Sequence, residues 1–381
     1  MPTTLVISND FPPRIGGIES FVADVCELLD SDVLVLTSSA PGAVDHDRRL
    51  PYQVVRAGGL LLPTKANTRT AVSLLRSSGA SRVVFGAAAP LSLMAPALRE
   101  AGAYRILGLS HGHESWWATV PGARALLHRM GEGLDHLATI SDYTAARIAP
   151  ALSSAAQQRM IRLAPPVDLD RFVPGPVSLS RARCLAVGRF VKQKGFSSLL
   201  GAWREVCEGW PRQERRPELV LIGDGPQRAR LQALVTKHGL TNTVTFTGPL
   251  PRAEVLQWLQ VSDVFALPVR TRLAGLNPEG LGLGFLEAAA CGLPLVVGRS
   301  GGAVETVVHG ESGYVVEPTD IASIAVRLTH LLRDRNRARE MGRIGRAHVR
   351  DRYGAVQAGC TLRRALGLAE PDDHTAPSAH L

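Results

Sequence analysis

Apolar residues occur along this chain in short unbroken runs rather than in strict alternation. TLVIS (4–8), VLVLT (33–37), RVVFG (82–86) and RILGLS (105–110) are dense in Val, Ile and Leu, which predicts strands covered on both faces. Tyr52–Arg56 and Leu137–Ser141 are read the same way. Between these runs, apolar residues recur at helical spacing over Ile18–Leu29, Pro90–Ala101, Pro121–Gly131 and Asp142–Ala149. Buried strands alternating with helices predict βαβ units and parallel sheets. The rhythm pauses at Pro165-Pro166 and at PGPVSLSRAR (174–183), a Pro/Gly/Ser-rich stretch that reads as a linker.

The same rhythm then restarts. Strands are predicted over Cys184–Phe190, Leu219–Gly223, Val244–Thr247, Val264–Pro268, Leu293–Val297 and Tyr314–Glu317. Helices are predicted over Gly195–Cys207, Gln227–His238, Arg252–Leu259, Leu283–Cys291, 320–333 and 335–352. The expected architecture is α/β: two doubly wound Rossmann-like domains facing a central cleft. Residues 1–173 form the first domain, 174–183 the linker and 184–350 the second domain. A C-terminal helix over 351–368 can pack back on the first domain, and a Pro-, Asp-, His- and Ser-rich tail, 369–381, is expected to be disordered. Open sheets of this kind bind ligands outside the carboxyl ends of their strands, so the cleft is where a site is expected.

Composition narrows the function classes. The chain has 381 residues, 45% hydrophobic and 20% charged, as an ordinary globular protein does. It contains no run of about 18 apolar residues, and MPTTLVISND lacks the basic and apolar regions of a secretory signal. The five cysteines, Cys26, Cys184, Cys207, Cys291 and Cys360, are scattered and form no C-x-x-C pair, which fits a reducing cytosol better than a disulfide framework or a zinc site. The net charge of +9 points to an anionic partner. Residues 1–175 hold 16 basic against 15 acidic side chains, and the remainder 27 against 19. The near-neutral first half nevertheless contains Arg48–Arg99, with eight basic residues and no acidic one, interleaved with GGLLLP (58–63) and AVSLLR (71–76). Basic residues beside apolar ones suit an anionic bilayer surface, and Arg69, Arg76 and Arg82 are its candidates; the alternative is a solvated face over a few core leucines. No nucleic-acid motif accompanies the charge.

Five short motifs can carry chemistry. Asn9–Gly17 (NDFPPRIGG) follows the first strand and opens a helix; paired glycines there, Gly16 and Gly17, let backbone N–H groups approach a phosphate, or they simply make a tight turn. Gly188–Gly195 (GRFVKQKG) places Arg189 and Lys194 at the end of a strand, where two cations can clamp a diphosphate; the alternative is two solvated cations. Glu279–Glu287 (EGLGLGFLE) sets two carboxylates seven residues apart around a glycine-rich helix start, suited to sugar hydroxyls and a ribose diol; the alternative is a capped, solvated helix end. His111 and His113 in SHGHE end another strand, where a neutral imidazole can bond a substrate hydroxyl; the alternative for either is a structural role. IGDGP (222–226) begins like a dinucleotide turn but has Arg228 where the third glycine would stand.

Together these motifs resemble the retaining GT-B glycosyltransferases of family 4, and NDFPPRIGGIES, FGAAAPL, SHGHE, PVRTR and EGLGLGFLEA resemble the actinobacterial phosphatidylinositol mannoside mannosyltransferases. The resemblance covers nearly the whole chain. It implies transfer of mannose from GDP-mannose to a phosphatidylinositol mannoside through an α-(1→6) link, with the dimannoside as the first choice of acceptor and the monomannoside as the alternative. It implies that Gly16 and Gly17 approach the donor diphosphate, that Arg189 and Lys194 hold it, that Glu279 binds mannose and Glu287 the ribose, and that Leu250 lies by the guanine. Gly282, Gly284, Phe285 and Leu286 then belong to the donor-binding helix start. Arg189, Lys194, Glu279 and His111, which meets the sugar, are the implied catalytic residues, and His113, the second candidate for that histidine, is placed on the acceptor side. No cofactor is required by this reading, and loosely held Mg²⁺ on the diphosphate is compatible with it. The expected location is cytoplasmic, peripheral to the inner face of the cell membrane. Another nucleotide sugar or acceptor is the next alternative. A nicotinamide-dependent oxidoreductase is the distant one: it would need an acidic residue about 20 positions after the glycine turn, and the first carboxylate after Gly225 is Glu254.

Overall fold

A computed structural model describes residues 4–30, 32–176, 181–273 and 275–368. Part of the expected linker, 177–180, and the expected disordered tail, 369–381, lie outside the described residues. The chain divides into two compact units: Met1–Ile140 with Ala145–Pro165 and Ala355–Leu381, and Ser141–Thr144 with Pro166–Gly354.

The first unit is built on seven parallel strands: β1 (Thr4–Ser8), β2 (Val33–Ser38), β3 (Gln53–Ala57), β4 (Arg82–Phe85), β5 (Arg105–Ser110), β6 (His136–Thr139) and β7 (Met160–Arg162). They lie in the order β3-β2-β1-β4-β5-β6-β7. Every residue of β1 and β2 is buried, as their unbroken apolar runs require. The helices are α1 (Gly17–Leu28), α2 (Ala43–Asp47), α3 (Lys65–Ser78), α4 (Ala88–Leu91), α5 (Ala95–Glu100), α6 (Pro121–Gly133), α7 (Asp142–Ile148) and α8 (Ser154–Gln158). The helix expected over Pro90–Ala101 is broken into α4, a 3₁₀ turn at Ser92–Met94, and α5. Pro96 lies in the first turn of α5, where its missing N–H costs nothing, and the Ser92 hydroxyl donates to Ala88 O at 2.8 Å, a local bond that competes with the helix.

The second unit repeats the design. Strands β8 (Arg183–Val187), β9 (Glu218–Ile222), β10 (Val244–Gly248), β11 (Val264–Leu267), β12 (Leu295–Gly298) and β13 (Gly313–Val316) form a parallel sheet in the order β10-β9-β8-β11-β12-β13. Its helices are α9 (Phe196–Glu208), α10 (Arg228–Lys237), α11 (Arg252–Gln260), α12 (Leu283–Ala290), α13 (Ile321–Arg333) and α14 (Arg335–Tyr353). The last helix, α15 (Ala355–Ala365), belongs to the first unit and packs on α1.

Both sheets reverse direction at one place, between β1 and β4 and between β8 and β11. Loops leaving the carboxyl ends of these strand pairs flank the crevice where doubly wound sheets take ligands. The NDFPPRIGG loop leaves β1, GRFVKQKG leaves β8, and the Glu279 loop follows β11. All five cysteines are free thiols, four of them buried. Burial pushes the Cys26 and Cys291 thiols up to about 12, so they stay protonated and act as small apolar side chains.

Candidate active site

In the second unit, the candidate residues meet at the β8/β11 switch point. Lys194 ends a 3₁₀ turn (Lys192–Lys194), and Gly195 follows it with φ +75°. A Cβ on Gly195 would stand 2.0 Å from Pro268 O, so only glycine lets this loop lie against the end of β11. The Lys194 ammonium therefore points at the loop after β11. Its Nζ donates to both carboxylate oxygens of Glu279, at 2.8 and 2.9 Å. Glu279 is buried, and its backbone is held at both ends: its N–H donates to Ser300 Oγ, and its carbonyl accepts from Gly302 N at 2.9 Å. Gln193 Nε2 donates to Pro278 O at 2.8 Å, fixing the residue before it. Arg189, by contrast, is exposed and makes no side-chain hydrogen bond or ion pair among the described residues. This cation can swing toward a bound anion.

The IGDGP turn supports this loop. Phe190 N donates to Asp224 O at 2.8 Å and Gln227 N to Phe190 O at 3.0 Å. Gly223, at φ +134°, would place a Cβ 2.1 Å from Gly188 O. The glycines of this turn thus permit close backbone packing against the Arg189 loop, which accounts for them without a dinucleotide.

Gly282, at φ +93°, caps the N-terminus of α12. Leu283 and Gly284 open the helix, where N–H groups lack intrahelical acceptors and the dipole favours an anion. Phe285 and Leu286 are core side chains, 2% and 0% exposed, with Phe285 stacked edge-on against Phe265 at 5.6 Å; they anchor the helix start through the core. Glu287 lies one turn inside and is buried. Burial pushes its carboxyl above the usual carboxylate range, while Arg252 draws it back. Arg252 Nε donates to Glu287 Oε1 at 3.0 Å, and Nη2 lies 2.8 Å from the same oxygen. Leu250 is half-buried in the turn between β10 and α11, two residues before Arg252. Arg252, Gln193 and Ser300 escaped the sequence reading, because nothing in local pattern pairs them with the two glutamates. Ser141, which clusters with this unit, escaped it as well; its hydroxyl donates to Gly280 O at 2.9 Å.

In the first unit, a Cβ on Gly16 would stand 2.1 Å from Glu19 Oε2, whereas one on Gly17 would meet nothing within 4 Å. His111 is buried after β5, its Nε2 2.5 Å from Gly86 O at the end of β4 and its ring edge-on to Phe21. The His113 side chain lies outside the described residues. The basic stretch divides. Arg56 is a structural cation: its guanidinium bonds both Asp47 oxygens, Ser38 O and Pro12 O. Arg82 Nε donates to Leu366 O at 2.8 Å and Nη2 to Gly367 O at 3.2 Å, tying β4 to the end of α15. Arg99 pairs with Asp135 at 2.5 Å. Lys65, Arg69 and Arg76 remain exposed along α3.

The family description "Glycosyl transferases group 1" matches residues 176–348. A GDP-mannose-dependent alpha-(1-6)-phosphatidylinositol monomannoside mannosyltransferase of Mycolicibacterium smegmatis is 39% identical over 380 residues, covering 95% of this chain and 97% of the relative. The chain belongs to the phosphatidylinositol mannoside mannosyltransferases. A further member, the GDP-mannose-dependent monoacylated alpha-(1-6)-phosphatidylinositol monomannoside mannosyltransferase of Corynebacterium glutamicum, is 37% identical over 91% of this chain and 93% of its own length. The fold of the family member described here is GT-B. Anabaena Alr3699/HepE in complex with UDP superposes with a TM-score of 0.78 over 96% of this chain and all of that one, at 18% identity. Sucrose-phosphate synthase of Thermosynechococcus elongatus superposes at 0.77, with 21% identity over 96% of this chain and 99% of that one.

Proposed function

We propose that this mannosyltransferase moves mannose from GDP-mannose to the 6-hydroxyl of a phosphatidylinositol monomannoside, with retention of configuration. The observation that carries the reading is Lys194 bound to both oxygens of buried Glu279 at the β8/β11 switch point. An ammonium and a sugar-binding carboxylate are thereby joined where a nucleotide sugar's diphosphate and hexose would meet. The bond from mannose C1 to the β-phosphate oxygen breaks, the acceptor oxygen bonds C1, and the acceptor proton passes to a phosphate oxygen. Lys194 and Arg189 offset the negative charge that gathers on the leaving GDP. Within the second unit, Glu279 takes mannose hydroxyls and Glu287 the ribose.

The choice of monomannoside over the dimannoside first expected follows the relatives, which are named for the monomannoside. A lipid acceptor calls for a bilayer surface. No helix among the described residues is long and apolar enough to cross a membrane, and the exposed Lys65, Arg69 and Arg76 on α3, following exposed Leu60 and Leu62, suit peripheral attachment to anionic lipid.

Radiolabelled GDP-mannose offered with defined mono- and dimannosylated lipids tests the reading. Label is expected in the monomannoside's product; label entering only the dimannoside's product would restore the other acceptor, and no transfer to either would overturn the function. Glu279→Ala should abolish most transfer while leaving GDP affinity nearly intact, measured by calorimetry; an equal loss of GDP affinity would remove Glu279 from the sugar.

A further inference from the structure

Glu287 is a buried carboxylate with a partner that donor-site logic alone does not require. Arg252, the first residue of α11, reaches it with two nitrogens that fall on one oxygen: Nε donates to Oε1 at 3.0 Å, and Nη2 stands 2.8 Å from Oε1. These contacts engage Oε1 and leave Oε2 to a ligand. Arg252 is itself held. Its guanidinium carbon lies 5.2 Å above the centre of the fully buried Phe172 ring, a favourable cation–π placement. Phe172 in turn is pinned through its backbone: its carbonyl accepts from Arg346 Nη1 at 2.5 Å, and its N–H donates to Asp168 O at 2.8 Å. Arg346 also bonds Ala290 O, at the end of the helix that carries Glu287. One arginine on α14 thus braces both the platform beneath Arg252 and the helix bearing its carboxylate partner.

We propose that Arg252 is the positioning residue for ribose recognition: with Oε1 of Glu287 engaged and its own plane fixed on Phe172, it presents Oε2 to the diol of the donor nucleotide. The inference rests on the reading of Glu287 as the ribose ligand. Arg252 does not touch the nucleotide; it acts through Glu287. A carboxylate left alone at this depth would rotate freely among its rotamers and would take up a proton more readily, since burial already pushes it upward and Arg252 is the chief opposing influence. The other charged or titratable groups that face Glu287 are Arg171, whose guanidinium also lies over Phe172 at 6.0 Å, and Cys291, whose thiol burial and Glu287 itself hold protonated.

Calorimetric titration with GDP, and with GDP lacking both ribose hydroxyls, tests this on the full chain. Arg252→Met and Glu287→Gln are each expected to weaken GDP by about tenfold, within the range for contacting, coupled groups. Neither should change affinity for the dideoxy nucleotide. In the double variant the losses should not add. Arg252→Met should also make GDP affinity fall more steeply than in wild type as pH is lowered, because burial already favours the protonated carboxyl, and Arg252→Lys should restore part of the affinity. Should Glu287→Gln bind GDP like wild type, the ribose reading itself fails. Should Glu287→Gln lose affinity while Arg252→Met keeps it, or should the two losses add, Arg252 is not acting through Glu287 and the inference is overturned. Equal losses with the dideoxy nucleotide in Arg252→Met would mark damage to the fold rather than to ribose recognition, and would overturn it too.

Discussion

Arg189 and Lys194 are both cations beside a glycine turn, but their surroundings set them different tasks. Arg189 is exposed and carries no described partner, so its replacement would remove only the role proposed for it at the leaving group. Arg189→Ala is expected to cut turnover by about 10²–10³, the usual loss for one preorganised charge contact, with an unchanged melting temperature. Lys194→Ala should cost at least as much turnover and also lower the melting temperature. It strands Glu279, whose side chain is 11% exposed, as a buried charge without its cation. Steady-state kinetics and thermal melts on both variants check this, and wild-type kinetics in either would remove it from the diphosphate. Asp47 illustrates the same logic in the first unit. The hydrogen bond from Arg56 holds its carboxyl below the usual carboxylate range. A carboxyl with a lowered folded pKa stabilises the fold above its unfolded value, and that contribution disappears as pH falls through the folded value. Asp47→Asn should therefore cost about 2 kcal/mol near neutrality and progressively less as the medium is acidified below pH 4. A melting deficit that stays constant down to pH 2 would show that the charge is not what matters.

At the scale of elements, the parallel strands could be read directly from the chain because burial on both faces leaves unbroken Val/Ile/Leu runs that nothing else in the sequence imitates. Segments whose stability comes from partners could not. Helix α3 was passed over: its exposed Lys65, Arg69 and Arg76 dilute the apolar pattern, and it buries only Ala71 and Leu75. Thr64, whose hydroxyl accepts from Asn67 N, was the local sign of its start. Strand β7 spans three residues and exists through its pairing with β6. The site divides in the same manner. Arg189, Lys194, Glu279 and Glu287 stand out in the sequence because each sits at a strand or helix end marked by glycine, whereas Arg252 does not, because its partner lies 35 residues away. The IGDGP turn carries part of the family resemblance, and what its glycines permit in the structure is contact between two loops. Gly223→Ala should then cost on the order of 2–4 kcal/mol, because the clash at Gly188 O is with backbone that cannot swing aside, and should weaken GDP as the Arg189 loop is displaced. Gly239, also at positive φ but with nothing within 4 Å of an added Cβ, is the control, expected to lose only about 1 kcal/mol from its backbone conformation. If Gly223→Ala melts no lower than Gly239→Ala, the two loops are not in the contact described.

Over the whole molecule, the excess of nine positive charges is not spread as one field, and ion pairing decides which part of it a membrane would meet. Along α14, Arg343 pairs with Glu340, Arg350 with Asp351 and Arg352 with Asp142, while Arg346 is spent on three backbone carbonyls. In the first unit, Arg56, Arg82 and Arg99 are likewise engaged by the fold. Other exposed basic residues, Arg49, Arg129, Arg215 and Arg216 among them, also lack a described ion pair, but α3 gathers three, Lys65, Arg69 and Arg76, on one element just after the exposed Leu60 and Leu62. Each basic residue near an anionic surface contributes about 1 kcal/mol, screened by salt, and two leucines can enter the headgroup region. The protein is therefore expected to cosediment with vesicles containing anionic phospholipid but not with purely zwitterionic ones, and to be released at high salt. The Lys65→Glu, Arg69→Glu, Arg76→Glu triple variant should lose this binding while retaining GDP affinity and melting behaviour, because none of the three holds the fold together. Reversing Arg82 instead should lower the melting temperature by freeing the end of α15, with little effect on vesicle binding. If the α3 variant sediments with anionic vesicles as wild type does, attachment through this helix is excluded, and the arginines of α14 are the surface to reverse next.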